Sequence, residues 1–343
     1  MKGYKGFDKG LRCRGKQYTE STTFEEKEAK ICESGMHFCK FPFDVWEFYP
    51  PCDQNGKLND FAEVEAYDEI KTDNNVKFCT SKLRIGKKLT FIDFVNTGIK
   101  TILNDTKNNI KISTSNHSAA TGTSDHSAAK NTGDCSTATN TGYYSIATNI
   151  GDYSAATNTG KCSAATNTSK CSAATNTGDY SAATNAGNCS LAASIGDCSA
   201  ATNTGNYSIA VTTGGDSVAT STGQCSVAVS INDCSTALNT GKRSVATNTG
   251  NYSVATSIND CSVATNTGRH SIATVEGKDS VAIATGYDSK AKGTKGSWIV
   301  CAERDNDNTL LCVKAAKVDG KQIKENVFYT VKNGEFIEVK ENE

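Results

Sequence analysis

The residues best suited to chemistry lie near the start of the chain, in the segment CESGMHFC and just after it. They are Cys32, His37, Cys39 and, further along, Cys52. Thiolates and an imidazole are ligands that zinc prefers. The spacing differs from the paired C-x-x-C knuckles of well-defined zinc sites, so it favours buried, unligated thiols. A zinc site formed by these four residues stays open as the alternative, and no other cofactor is predicted.

Two catalytic interpretations of the same region are weaker. Cys32 or Cys39 could act as a nucleophile with His37 as its base. Arg12 and Arg14 in RCRG could hold a phosphate, with the glutamates of AEVEA, Glu63 and Glu65, as a nucleotide-dependent transferase would require. In the plainer interpretation, the two glutamates lie on the solvent-exposed face of an amphipathic strand. We therefore predict no catalytic residue and no enzymatic activity.

The composition argues against nucleic acid and membranes as binding partners. The chain has 343 residues and a net charge of −1, which gives no general attraction to nucleic acid or to an anionic membrane. There is no apolar run long enough for a transmembrane helix and no secretory signal, so we expect a cytoplasmic protein. The 15 cysteines are an odd number in a chain without an export signal, which indicates reduced thiols used in packing.

A nine-residue repeat occupies the middle of the chain. Serine recurs at every ninth position from Ser118 to Ser289, and alanine two residues later from Ala120 to Ala291. Glycine usually lies three residues before the serine, and its column runs to Gly286. The exceptions in that column are Ser115, Ser124, Ser169, Asn232 and Asn259. A flexible linker needs no such fixed phase, so the pattern predicts a solenoid.

Within each unit the residue types alternate in steps of two, as in a β-strand. The serine and alanine columns lie on one face, and we place them in a narrow core. The residue after each serine, the x position, accepts Leu191 and also Lys290, so we place it outside with the threonines. The opposite orientation, with the aliphatic residues inside, is the alternative.

Two units make one coil of 18 residues with two strands. Large and small residues then alternate along one edge, as Tyr144, Cys162, Tyr180 and Cys198 do. The units are similar to calcium-binding nonapeptide rolls and to the heads of trimeric autotransporter adhesins. The turns lack regular carboxylates, which argues against calcium. The predicted fold class is mainly β: a solenoid of about ten coils with an α+β domain before it and a small β cap after it.

The predicted domains are an α+β domain over 1–110, the solenoid over 113–293 and the β cap over 294–343. In the first, FAEVEAY and VKFCTSKLRI alternate as strands, while PFDVWEFY and TFIDFVNTGIKTIL have helical patterns. In the last, SWIVCAER and TLLCVKAAKVDG resemble strands, and VFYTVKNGEFIEV carries an Asn-Gly hairpin signal.

The solenoid offers a binding surface rather than a reaction site. From Ile209 onward the x position changes from mostly alanine to mostly valine, so this half is expected to contact a protein. Threonines two residues apart resemble the hydroxyl arrays of ice-binding solenoids, which is a further alternative. The candidate binding residues are Ile209, Val218, Val227, Val245, Val254, Val263, Thr157, Thr159, Thr166 and Thr168.

Several segments outside the repeat support a resemblance to a family. KGFDKGLRCRGKQY, CESGMHFC, FAEVEAY and the tail GSWIVCAERD with FYTVKNGEFIEV resemble an uncharacterised family from phages and Firmicute prophages. In that family a small domain of unknown function often precedes Ser/Ala/Gly repeats. The resemblance implies a viral setting, with a location in the host cytoplasm or in the virion, and it implies no activity.

These observations lead to one functional expectation with alternatives. We expect a non-enzymatic protein-binding or scaffold protein, possible roles being a decoy or an inhibitor of a host defence system. The partner would be a host protein or another copy of the chain, and neither nucleic acid nor membrane. The alternatives are a virion or tail accessory protein, and a transferase domain carried on an oligomerisation stalk.

Overall fold

The structure is a computed structural model, which describes residues 1–31, 33–53, 57–73, 75–105 and 110–339. It is mainly β, with an N-terminal sheet domain, a solenoid of about 11 coils of roughly 18 residues, and a C-terminal β segment. The predicted fold class is therefore confirmed. Across the described ranges, no helix has the combination of length and apolarity that crossing a bilayer requires.

The N-terminal domain is a seven-stranded antiparallel sheet with one α-helix. The strand order across the sheet is β4-β9-β6-β1-β5-β8-β7, and β2 and β3 form a separate hairpin. Its elements are β1 (Lys2–Phe7), β2 (Arg12–Cys13), β3 (Lys16–Gln17), β4 (Thr23–Glu25), β5 (Met36–Cys39), a 3₁₀ helix (Phe43–Glu47), β6 (Asp60–Ala66), β7 (Ile70–Thr72), β8 (Lys77–Thr80), β9 (Lys82–Leu89) and α1 (Phe91–Asp105).

The predicted elements of this domain are present. FAEVEAY forms most of β6, and its pattern of exposed and buried residues alternates as predicted. VKFCTSKLRI forms two strands, β8 and β9, rather than one. PFDVWEFY contains the 3₁₀ helix, and TFIDFVNTGIKTIL forms most of α1. The hydroxyl of Thr90, just before α1, accepts a hydrogen bond from the backbone N–H of Asp93 and caps the helix.

The solenoid consists of short strands separated by tight corners. They are β10 (Ile110–Ser113), β11 (Ala119–Gly122), β12 (Ala128–Asn131), β13 (Thr137–Asn140), β14 (Ile146–Asn149), β15 (Ala155–Asn158), β16 (Ala164–Asn167), β17 (Ala173–Asn176), β18 (Ala182–Asn185), β19 (Leu191–Ser194), β20 (Ala200–Asn203), β21 (Ile209–Thr212), β22 (Val218–Ser221), β23 (Val227–Ser230), β24 (Thr236–Asn239), β25 (Val245–Asn248), β26 (Val254–Ser257), β27 (Val263–Asn266), β28 (Ile272–Val275), β29 (Val281–Ala284) and β30 (Lys290–Lys292).

Successive strands alternate between two parallel sheets. The even-numbered strands from β10 to β30 form one, which we call the even sheet, and the odd-numbered strands from β11 form the other, the odd sheet. Each strand pairs with the strand 18 residues along: Ala164 is opposite Ala182, and Ala155 is opposite Ala173. This register confirms the coil of two nine-residue units.

The core between the two sheets is made of small and polar side chains. The serine and alanine columns face inward, as predicted, and Ser163 and Ala165 are fully buried. Each serine hydroxyl joins neighbouring coils: the Ser163 N–H donates to Ser181 Oγ at 3.0 Å, and Ser163 Oγ donates to the Lys161 carbonyl at 2.9 Å. The ladder satisfies polar backbone groups that would otherwise be buried without partners.

An asparagine column inside the core was not predicted. Asn158 Nδ2 donates to the carbonyls of Ser145 and Ala164, at 3.0 and 3.2 Å, and its Oδ1 accepts the Gly160 N–H at 2.8 Å. One buried amide thus satisfies three backbone groups at a corner, where the strand ladder ends. The period-two pattern places this residue inward, four positions after the serine, and this signal was overlooked.

The glycine column is explained by close packing between coils rather than by backbone conformation. A Cβ on Gly160 would lie 1.9 Å from the Gly142 carbonyl oxygen of the preceding coil, so close stacking disfavours a side chain there. The left-handed residue is instead the one just before each serine, such as Cys162 at φ 52° and Tyr207 at φ 55°. Ser169, Asn232 and Asn259 occupy the same position within the rod, and each of these side chains donates to a carbonyl of the preceding coil, those of Ile150, Thr213 and Thr240 respectively.

The C-terminal segment extends both sheets and closes the core. It contains β31 (Trp298–Arg304), β32 (Leu310–Lys317), β33 (Phe328–Lys332) and β34 (Glu335–Val339). β31 continues the odd sheet in parallel and pairs with β32 in antiparallel orientation, while β33 and β34 extend the even sheet. The predicted Asn-Gly hairpin is present, with Asn333 at φ 52° and Gly334 at φ 72°.

The N-terminal domain lies on the side of the solenoid, against the outer face of the even sheet. Phe43 and Trp46 of the 3₁₀ helix and Phe94 of α1 share one buried cluster with Ala164 and Ala182. The domain that precedes the solenoid in the sequence thus packs along its side. The x positions of the even sheet are small at most of these coils, which allows the aromatic side chains to approach the sheet closely.

Candidate functional site

The outer face of the odd sheet carries a continuous column of apolar side chains. Strand pairing places these x positions directly beside one another in the order Leu191, Ile209, Val227, Val245, Val263, Val281 and Trp298. A second outer column two residues further along contains Val211, Val229, Ile283 and Val300. Neither column contains a charged residue over this range. We call these two columns the open face.

The open face is accessible along its whole length. Ile209 is 42% exposed and Trp298 is 45% exposed, and the valines between them are partly exposed. Seven strands at a spacing of ~4.8 Å give the face a length of roughly 30 Å. It is therefore a flat apolar surface on a rigid backbone.

The predicted valine-rich binding residues fall on both sheets. Ile209, Val227, Val245 and Val263 lie on the open face. Val254 lies on the even sheet, where it is partly exposed. Val218 is also on the even sheet but is 0% exposed, because the N-terminal domain covers its strand. Val218 therefore does not belong to an accessible surface.

The predicted threonine residues do not form one array. Thr157 points outward from the odd sheet and Thr166 from the even sheet. Thr159 and Thr168 come after the strands end, at exposed corner positions. Thr166 Oγ1 is buried, so this part of the even sheet is not a free hydroxyl surface.

A pocket of about 630 Å³ lies in the N-terminal domain, apart from the open face. It is bordered by β1, β5, the β2–β3 hairpin and the end of the 3₁₀ helix. Its walls include the aromatic rings of Tyr18, Phe38, Phe48 and Tyr49. The residues with ionisable side chains in its wall include Lys5, Cys13, Arg14, Lys16, Glu26, Glu33, His37, Cys39, Glu47 and Lys77.

Lys5 is the most unusual group in this pocket. It is only 6% exposed, and burial lowers the pKa of its ammonium group. Its Nζ donates to the His37 carbonyl at 2.9 Å and lies 5.4 Å from the centre of the Phe7 ring. No carboxylate in the described part of the chain forms an ion pair with Lys5.

The predicted zinc ligands are divided between two places. His37 and Cys39 lie on β5 beside the pocket, and burial raises the pKa of the Cys39 thiol. Cys52 lies against the solenoid instead, with its Sγ 2.7 Å from the Cys234 carbonyl oxygen. Cys32 is outside the described residues. Where the structure describes the chain, no three His, Cys, Asp or Glu residues form a group that could hold a metal ion.

The residues of the transferase interpretation are likewise separated. Arg14 lines the pocket, but Arg12, Glu63 and Glu65 do not. Arg12 Nε donates to Gln17 Oε1 at 3.1 Å across the hairpin, and Glu65 accepts the Tyr67 hydroxyl at 2.7 Å. Of the four residues named in the transferase interpretation, only Arg14 therefore lines the pocket.

Comparison with known proteins adds one finding. Residues 1–97 match the model of a family described as a domain of unknown function, DUF7666. Neither a curated protein nor a solved structure shows significant similarity to the chain. The N-terminal domain is therefore similar to a domain family whose function is unknown, and the match ends before the solenoid.

Proposed function

We propose that this protein is a non-enzymatic scaffold that binds another protein through the open face of its solenoid. The open face itself carries the proposal, because it is an exposed, uncharged apolar surface running over seven neighbouring strands. Contiguous apolar patches of this kind mark interaction sites on soluble proteins. The rigid hydrogen-bonded core beneath it means that little ordering is needed on binding.

The dimensions of the open face suit a protein better than a small molecule. The open face extends roughly 30 Å across its seven strands and roughly 13 Å along each strand, which gives a flat footprint of about 400 Å². Such a footprint is about half of that in a standard specific interface, so the expected complex is weak and transient. A flat sheet would pair best with another flat apolar surface, such as a sheet packed face to face.

The biological setting is part of this proposal and rests on the family resemblance. A phage- or prophage-encoded protein of this shape would act in the host cytoplasm as a decoy or an inhibitor of a defence system. A structural accessory role in the virion or tail is the second candidate. In both cases the binding partner is a protein, which the absence of charge on the open face supports.

The experiment compares two double variants in the full-length protein. Val227→Lys with Val245→Lys places charges on the open face, whereas Val254→Lys with Ile272→Lys places them at the same repeat positions of the even sheet. Both are tested by capture from host lysate with mass spectrometry and by sedimentation velocity over a range of protein concentrations.

The expected result is a protein captured by the wild type and by the even-sheet variant but not by the open-face variant. If the partner is a second copy, sedimentation shows a concentration-dependent dimer that only the open-face variant loses. Equal behaviour of both variants, or a monomer that captures nothing, would contradict the proposal.

A further inference from the structure

The pocket of the N-terminal domain has a charge arrangement that the scaffold proposal does not use. Lys16 is paired with Glu26 at 2.8 Å, and Glu26 also accepts the Gly35 N–H at 2.9 Å. These contacts neutralise one cation and one anion of the wall. Lys5 and Arg14 form no ion pair with a described carboxylate, although both line the same cavity.

Besides burial, three positive charges in the pocket wall lower the pKa of the same group, the imidazole of His37. Burial lowers the pKa of His37 to about 4, and the next contributions come from the positive charges of Lys5, Lys77 and Arg14. Glu26 acts in the opposite direction but is the smaller effect. At the His37 ring, the effect of these three cations is therefore larger than that of Glu26.

The geometry places Lys5 and Arg14 at different depths. Lys5 lies on β1 in the buried part, with one of its three ammonium hydrogens directed to the His37 carbonyl. Arg14 lies at the exposed tip of the β2–β3 hairpin, where Arg14 at φ 50° and Gly15 at φ 78° form the two-residue turn. A fixed hairpin thus holds a guanidinium group at the wall of a cavity that contains a buried ammonium group.

The remaining walls are aromatic. Tyr18 and Phe38 are buried, whereas Phe48 is exposed and has Lys77 Nζ 4.8 Å from its ring centre. Planar rings and a nearby cation are suited to stacking of a flat, electron-rich group. The cavity of about 630 Å³ is large enough for a drug-sized ligand.

We propose that this pocket binds a small organic phosphate that carries a planar ring, with Lys5 and Arg14 contacting the phosphate and the aromatic wall contacting the ring. Lysine provides a compact charge for a phosphate oxygen, and arginine can donate two parallel hydrogen bonds to it. The site implies no bond-making step, so it is a binding site and not a catalytic one. This inference is independent of the open face.

The test uses isothermal titration calorimetry of the full-length protein with AMP, UMP, inorganic phosphate and adenosine. Lys5→Met removes the buried charge with little change in side-chain volume, and Arg14→Asn removes the exposed charge with a residue that tolerates the left-handed turn. Arg12→Asn is the matched control, because Arg12 lies on the same hairpin and outside the pocket.

We expect at least one nucleotide to bind about tenfold or more tightly than inorganic phosphate and adenosine. Lys5→Met and Arg14→Asn should each weaken that binding by about tenfold, and Arg12→Asn by less than about twofold. If Lys5→Met fails to fold, as judged by circular dichroism, Arg14→Asn decides alone. Binding of neither nucleotide, equal binding of adenosine and a nucleotide, or equal effects of Arg12→Asn and Arg14→Asn would overturn the proposal.

Discussion

The even and odd sheets are built from the same nine-residue unit, yet their outer faces have different surroundings. Ala182 on the even sheet is fully buried beneath the N-terminal domain, whereas Ala173, nine residues earlier on the odd sheet, is partly exposed. Both occupy the x position of an identical SAATN segment. The comparison shows that the local sequence of a repeat does not decide whether its outer face is covered.

The largest expected difference between the two sheets comes from a charge at the x position. Ala182→Glu places a carboxylate among the aromatic side chains of the domain interface, so we expect a loss of about 3–5 kcal/mol in the free energy of unfolding or separation of the domain from the solenoid. Ala173→Glu should change the stability by less than about 0.5 kcal/mol. Urea unfolding measures both, and equal losses would show that the even sheet is not covered.

The second prediction concerns the core, where the two sheets should behave alike. Gly151 precedes an odd strand and Gly160 an even strand, and a Cβ on either would lie 1.9 Å from the carbonyl of the coil before. Each change to alanine should cost about 3 kcal/mol of unfolding free energy, because the backbone of the neighbouring coil must move.

The control for these two variants is Gly215→Ala. A Cβ at Gly215 has no neighbour nearer than 3.8 Å, so its stability should stay close to that of the wild type. Thermal unfolding of the three variants gives the comparison. A large difference between Gly151→Ala and Gly160→Ala would mean that the two edges of the core are not equivalent.

The third prediction is a pH dependence of the unfolding free energy that arises where the N-terminal domain covers the even sheet. Asp44 is buried at the domain interface beside Tyr144, and burial together with the charge of Glu47 raises its pKa to about 7. A carboxyl with a raised pKa takes up a proton on folding, so its contribution to stability is greatest at low pH. That contribution is lost as the pH rises from the unfolded value of 3.8 through about 7.

Asp44→Asn removes this titration and keeps a side chain of the same shape. Between pH 5 and pH 8 the wild type should lose on the order of 2 kcal/mol of unfolding free energy relative to Asp44→Asn. His37, whose lowered pKa acts in the opposite direction, is present in both proteins and cancels in the difference. Parallel pH profiles for the two proteins would exclude the role given to Asp44.

The smallest expected effect is a gain in stability at a left-handed residue. Tyr207, on the odd side, is 66% exposed and has φ 55°. Tyr207→Asn should stabilise the protein by about 0.5–1 kcal/mol, since asparagine adopts this conformation more readily. Tyr180 has φ 54° but packs against the N-terminal domain, so Tyr180→Asn should give no gain. Differential scanning calorimetry distinguishes the two, and a similar gain at both positions would contradict the expected contact at Tyr180.

The repeat could be predicted in detail because its restrictions are local and recur in every coil. An invariant serine and alanine two residues apart identify the inward face, and the period of nine identifies the strand and corner. The same pattern left the inward asparagines unassigned, since asparagine is common in turns and its burial depends on carbonyls 13 residues earlier, such as Ser145 for Asn158.

The candidate sites were less accessible to prediction. Val218 and Val227 have the same repeat position, yet only Val227 lies on an accessible face. Arg14 was a candidate phosphate ligand from the sequence, but the pocket was not predicted, because nothing in the sequence links Arg14 to Lys5 or to Phe48. A lysine in the strand KGYKGF gives a signal only when its burial is known.

The sequence by itself determined the length and the strands of the coil, because serine, alanine and glycine recur at a fixed spacing of nine residues and residue types alternate in steps of two. It also determined the strands of the C-terminal cap, through the Asn-Gly turn and the apolar alternation. The tertiary structure alone decided which sheet is covered and where an unpaired lysine is buried. Those outcomes depend on how the N-terminal domain packs against a distant part of the chain, and the chemistry of a contact between remote segments is not contained in the pattern of either one.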